Sequence, residues 1–199
     1  MPASKLSRLR AEASLCRACP LWRRGTQTVF GEGSTKARLV LVGEQPGDKE
    51  DLAGRPFVGP AGKLLDRALE DARIERETVY VTNAVKHFKW TPRGKRRIHQ
   101  RPTANEVRAC RPWLDAELAI LEPDAIVCLG ATAAQALLGR AFRVSEQRGE
   151  WVASDLAPHV MATLHPAALL RRIDAEDREA EYALFVQDLG KVSQVMGNG

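Results

Sequence analysis

The parts of this 199-residue chain that could do chemistry are four cysteines, a few polar or glycine-bearing turns and one basic run. Cys16 and Cys19 are separated by two residues and followed by Pro20, while Cys110 and Cys128 lie much later with 17 residues between them. In a reducing compartment four thiolates can hold a zinc ion or an iron–sulfur cluster. A structural zinc usually draws its second pair from another short knuckle, which this chain lacks. A redox Cys-x-x-Cys would precede a thioredoxin-like strand and helix, and this pair does not. Cys128 sits in an apolar run and also reads as a small core residue. The spacing alone leaves the metal open.

Residues 86–101 hold seven of the 30 Lys and Arg and no acid, so the net charge of +5 comes from this one segment. Phe88 and Trp90 stand among the bases. Concentrated charge with interleaved aromatics suits a phosphate backbone and unstacked bases; the plainer alternative is a solvated loop. With 44% hydrophobic and 28% charged residues, the composition excludes a disordered chain. The longest apolar runs, near Leu39–Val42 and Ala125–Leu129, are too short to cross a bilayer. No charged-then-apolar leader precedes them, so neither secretion nor a membrane span is expected. Four cysteines are also too few for a disulfide scaffold.

The elements that must position these residues alternate between strand and helix. Residues 4–14 read as a helix, and 16–36 as a loop. Residues 38–42 read as a buried strand entering the turn Gly-Glu-Gln-Pro-Gly. Leu64, Leu65, Ala68, Leu69 and Ala72 share one face of a helix over 61–73. Residues 78–82 form a second strand, and Thr103 with Glu106 a capping box that opens a helix to about Leu121, with Pro112 a possible kink. Strands over 124–129 and 159–164 and helices over 130–138 and 174–192 complete the pattern. This predicts one α/β domain, a three-layer α/β/α sandwich around a central, mostly parallel sheet. Gly43–Gly47, Asn83, Gly130 and His165 each follow a strand, and so gather at the sheet edge where open α/β folds bind ligands.

Taken in order, these motifs resemble the family-four uracil-DNA glycosylases: Cys-x-x-Cys near the start, Gly-Glu-x-Pro-Gly after the first strand, Cys-x17-Cys, and His-Pro after the last strand. The resemblance runs from about Leu6 to Gly190. Two departures, Gln45 in the middle of the first turn and the extra loop Lys-Arg-Arg-Ile-His over 95–99, are similar to the UdgX branch, whose members bond covalently to DNA after removing uracil. Ala167 stands where serine is common, which could weaken a phosphate contact. The resemblance implies a uracil-DNA-glycosylase-like fold, with an N-terminal cluster-binding arm over about 4–36 and an inserted basic loop over about 86–101. It also implies a [4Fe–4S] cluster held by Cys16, Cys19, Cys110 and Cys128.

By the same resemblance, His99 attacks C1′ of the sugar in place of water; a neutral imidazole is a competent nucleophile near neutral pH. Glu44 orients His99 and stabilises the cationic sugar. Gln45 links the turn to the loop, and Asp48 and Asp51 match acidic positions, Asp48 counted with the catalytic set. Asn83 reads the edge of the flipped uracil, Phe57 stacks on it, and His165 bonds O2 and steadies the departing anion. Lys95, Arg96, Arg97 and Arg101 grip phosphates, while His87 and His159 are left as structural or phosphate-side residues. The implied partners are uracil-containing DNA, single- and double-stranded, with free uracil as product. The chain is expected to be monomeric, off the membrane, and in the bacterial cytoplasm with the nucleoid. The alternatives are a glycosylase that turns over, and a non-catalytic iron–sulfur nucleic-acid-binding module.

Overall fold

A computed structural model describes residues 4–197. Four five-residue strands are buried almost throughout because helices cover both sheet faces, which is why they read as continuous apolar runs. They are β2 (Leu39–Gly43), β3 (Val79–Asn83), β6 (Ala125–Leu129) and β7 (His159–Thr163). All pair in parallel, and a short edge strand, β1 (Glu32–Gly33), pairs antiparallel with β3, giving the order β1-β3-β2-β6-β7. The sheet is flanked as a three-layer α/β/α sandwich. Alternate residues Val40, Val42, Ile126 and Cys128 pack towards α1 (Lys5–Ala13), α4 (Ala104–Leu121) and α5 (Ala131–Leu138). Leu39, Leu41, Val127 and Leu129 pack towards α3 (Pro60–Asp71) and α8 (Ala175–Gly197). The capping box at Thr103 and Glu106 is formed at the start of α4. No described helix is long and apolar enough to cross a membrane.

The chain runs from β2 to β3 on one side, then back past β2 to β6 on the other. Strand order therefore reverses beside β2, and the loops after β2 and β6 part there to leave a crevice. Several short elements have too little periodicity to be read ahead. These are β1, α2 (Asp48–Ala53), α6 (Val144–Gln147) and α7 (Pro166–Leu170). The largest difference lies in the basic segment, which is a β-hairpin of β4 (Trp90–Arg93) and β5 (Arg96–His99). Its two-residue turn has Gly94 first, at φ +59°, as a type II′ turn requires. In this register His99 faces Trp90 at the base of the hairpin, while Lys95 lies at its tip.

Candidate active site

A cavity of about 550 Å³ opens at the crevice, walled by Glu44, Gln45, Phe57, Asn83, His99 and His165 among others. Its floor depends on Gly43, the last residue of β2, paired with Asn83. A Cβ there would lie 2.4 Å from Asn83 Oδ1 and 2.8 Å from the Phe57 ring, so glycine lets the two side chains meet. Asn83 is buried, and its side-chain amide lies beside Gly43 in the cavity wall. Its backbone carbonyl is held by Lys86 Nζ at 2.8 Å. Lys86 is itself buried against Glu117, which also accepts from Gly31 N–H, Tyr80 and Thr82. A buried ion pair with every site partnered is a rigid mount for the strand end. Phe57 adopts φ +56°, an unusual conformation outside glycine, and stacks on His165 with ring centres 6.1 Å apart.

Glu44 lies between the hairpin and α5. One carboxylate oxygen accepts from Thr132 Oγ1, and the other stands 3.3 Å from His99 Nε2. Burial pushes the Glu44 carboxyl up, but the hydrogen bonds from His99 and Thr132 outweigh it and hold the group below the usual carboxylate range. Gln45 spans the hairpin base: its Nε2 donates to the carbonyls of Lys89 and Gln100 at 3.3 and 3.1 Å, and its Oε1 accepts from Lys89 N–H at 3.2 Å. His165 caps α7, with Nδ1 accepting from Ala167 N–H at 3.1 Å, so its other ring nitrogen carries the proton. Burial pushes the His165 pKa down to about 4, against the pull of Glu44. It is therefore a neutral donor facing the cavity.

A pH dependence follows. The unfolded chain takes up a proton near 6.5 while folded His165 stays neutral to about 4, so stability falls as pH drops through that window. Because the cavity leaves His165 partly open to water, at most roughly 2 kcal/mol is lost between pH 7 and pH 5 from this group. Urea unfolding at the two pH values should show a smaller loss in His165→Gln than in the wild type. Equal losses would mean that the histidine is not held neutral.

Three expectations are corrected here. Arg97, expected to grip phosphate, turns inward. Its guanidinium bonds Asp48 and Asp51, both at 2.5 Å, and lies over the rings of Phe88 and Trp90 at 5.4 and 5.6 Å. Fully buried Asp51 also accepts from Thr26 N–H and Oγ1, so the arrangement clamps the hairpin onto α2. Asp48, counted as catalytic, is the second partner of that clamp and does not line the cavity. Two acids at one helix start attract the arginine that the charge of the basic loop would give to DNA. Lys95 and Arg96 are exposed at the hairpin tip, whereas Arg101 sits at the cavity rim, 4.0 Å from Glu44 and bonded to Thr132.

Cys128 is the third. It lies mid-sheet, fully buried, beside Val42 and Ala162 on the face towards α1 and α4. Cys19 and Cys110 pack elsewhere, around Leu21 and Val85, and Cys16 adjoins them through Trp113. Each of their sulfurs accepts an N–H: Cys16 from Trp113 Nε1 at 3.1 Å, Cys110 from Lys86 at 3.2 Å, and Cys19 from the backbone of Leu21. Such donors are what cluster thiolates need. Burial pushes the Cys110 and Cys128 thiols up, to about 11 and about 12. Cys110 has the Lys86 ammonium and amide against this, and Cys128 only the charge of Arg111. Among the described residues no three such side chains are drawn around one point as they would be around a single ion. Cys16, Cys19 and Cys110 nonetheless fit one thiolate-held group, and Cys128 does not. A further donor in this region is His87, buried, next to the amide that bonds Cys110 and against Gly25. In the sequence it stands as a structural or phosphate-side residue, because a lone histidine after a strand carries no ligand spacing. His159, by contrast, packs on Trp151 at the start of β7.

A protein-family model described as the uracil DNA glycosylase superfamily matches residues 30–190. The chain is 42% identical over 180 residues to the Type-4 uracil-DNA glycosylase of Thermotoga maritima, covering 88% of this chain and 86% of that protein. It is 36% identical to the Type-4 uracil-DNA glycosylase of Archaeoglobus fulgidus, covering 94% and 90%. A Type-5 uracil-DNA glycosylase of Thermus thermophilus is 35% identical over 61% of this chain.

Proposed function

The chain belongs to the uracil DNA glycosylase superfamily, and from that premise we propose that it excises uracil from DNA and is left covalently bound to the sugar through His99. The observation that carries the covalent step is the pair formed by His99 and Glu44, 3.3 Å apart at the mouth of the cavity. The flipped base enters the cavity against the Phe57 ring, with the amide of Asn83 and the His165 imidazole at its edge. As the glycosidic bond breaks, its electron pair passes to uracil, and the neutral His165 donor steadies the negative charge on O2. The cationic sugar is left beside the Glu44 carboxylate. A carboxylate bonded to one nitrogen of an imidazole keeps the proton there and leaves the other nitrogen with its lone pair, as in other histidine–carboxylate pairs. That lone pair forms the new bond to C1′. The positive charge then rests on the imidazole, and Glu44 balances it.

A [4Fe–4S] cluster fits the same reading, held by Cys16, Cys19 and Cys110, with His87 as the fourth donor. When bound it supplies a cross-link between the N-terminal arm, the loop after β3 and α4, close to the mount of Asn83. The N-terminal arm and the inserted hairpin are then two attachments on a single glycosylase domain.

The test is to mix the protein with single-stranded DNA containing one deoxyuridine and run a denaturing gel. A slower band that survives heat and detergent, formed in proportion to protein, is the expected result. An abasic product without that band would identify a glycosylase that turns over. Neither product would leave a DNA-binding module.

A further inference from the structure

Beside the uracil cavity lies a second groove of about 440 Å³ between the first turns of α4 and the body of α5. Four arginines line it: Arg101, Arg108, Arg111 and Arg140. Arg101 and Thr132 belong to both walls, so the two spaces are neighbours across one rim. Arg111 is tied to Asp115 at 2.5 Å and to the carbonyl of Ala136. The other three are exposed. Among the described residues Arg108 makes a single long contact, 3.4 Å to Asn105, and the Arg140 guanidinium forms no ion pair or hydrogen bond. Four guanidinium groups thus meet two carboxylates, Asp115 and, across the rim, Glu44, and neither reaches Arg108 or Arg140.

Exposed arginines without acid partners repel one another, and the usual relief is a bound anion. The guanidinium fork matches a phosphate in two-point contact better than a lysine does. Arg108, Arg111 and Arg140 lie outside the basic segment, whose hairpin reaches the cavity from the β3 side; this groove reaches it from the β6 side. We propose that the groove carries the phosphodiester backbone of the strand that flanks the flipped uridine on one side, with Arg108 and Arg140 as its phosphate contacts. The proposal rests on the uracil-excision reading and adds the path of the DNA beyond the base. It predicts that the enzyme reads its two flanks unequally.

Three oligonucleotides test it: one with the uridine flanked on both sides, and two cut short on one side. Uracil release is measured at low DNA concentration over a range of salt, for the wild type and for Arg108→Gln/Arg140→Gln. Losing two phosphate contacts should reduce the slope of log rate against log salt by about 1.4 for a single strand, and lower the rate roughly 10-fold or more near physiological salt. The rate at saturating DNA should be unchanged. Shortening one flank should cost the wild type a similar factor and the variant almost nothing, while shortening the other should cost both alike. Arg108→Lys/Arg140→Lys should restore most of the salt slope, which a merely structural role would not predict. Equal slopes in variant and wild type, or equal sensitivity to both flanks, would overturn the proposal. Binding of uracil-free strands of the same lengths is followed in parallel. If the wild type releases no uracil, the slope of that binding still decides for or against the groove.

Discussion

Replacing His99 with serine is expected to abolish the protein–DNA adduct completely while leaving uracil release in place. The substitution removes the nucleophile but not the groups that break the bond. Glu44 keeps its hydrogen bond from Thr132, Asn83 keeps its mount on Lys86, and His165 keeps its cap on α7. The vacated space beside Glu44 admits a water, which the carboxylate can orient towards C1′. Because a poorly held water replaces a fixed imidazole, release should slow by no more than about 100-fold. The variant should then act on more than one substrate molecule. A denaturing gel read beside a free-uracil assay separates the outcomes. An adduct that persists would move the nucleophile elsewhere; loss of adduct and release together would show that His99 is needed for bond breaking itself.

Asn83→Ala should reduce uracil release by about 1,000-fold, the scale of removing a fixed donor from a water-poor site. The amide lines the cavity, where it is available to pair with a bound base. Uracil offers an acceptor at O4 and a donor at N3, which one amide can match in full. Non-specific, salt-dependent DNA binding should survive, because the exposed hairpin tip at Lys95 and Arg96 lies on another element. Measuring release and binding on the same preparation distinguishes the cases. An equal loss of both would mean that the substitution has disturbed β3.

Much of the framework is legible in the residues alone. The apolar runs ending at Gly43, Asn83 and Leu129 read as strands because parallel strands buried on both faces carry little else, and the capping box at Thr103 and Glu106 marks the start of α4 without help. The turn residues Glu44, Gln45, Asn83 and His165 follow from those strand ends, since parallel strands send their C-terminal turns to one edge. The hairpin was harder. Its signal, Gly94 between two short β-branched or arginine-rich stretches, is masked by the charge that makes the segment look like a loop.

Partnerships between distant residues lay beyond what a one-dimensional reading can reach. Arg97 has the same composition-level identity as Arg96, yet pleating sends one inward to Asp48 and Asp51 and leaves the other in water. Cys128 shares a spacing motif with Cys110, but residue alternation along β6 turns its sulfur into the core. Arg108 and Arg140, 32 positions apart, line one groove only because α4 and α5 lie side by side. The order and types of residues determine which strands form and where their ends meet, because burial and backbone pairing act on local pattern. Which charge meets which, and which sulfur stays available, is decided by side-chain direction and by contacts between segments far apart in the chain; only the folded sheet, helices and hairpin together set those.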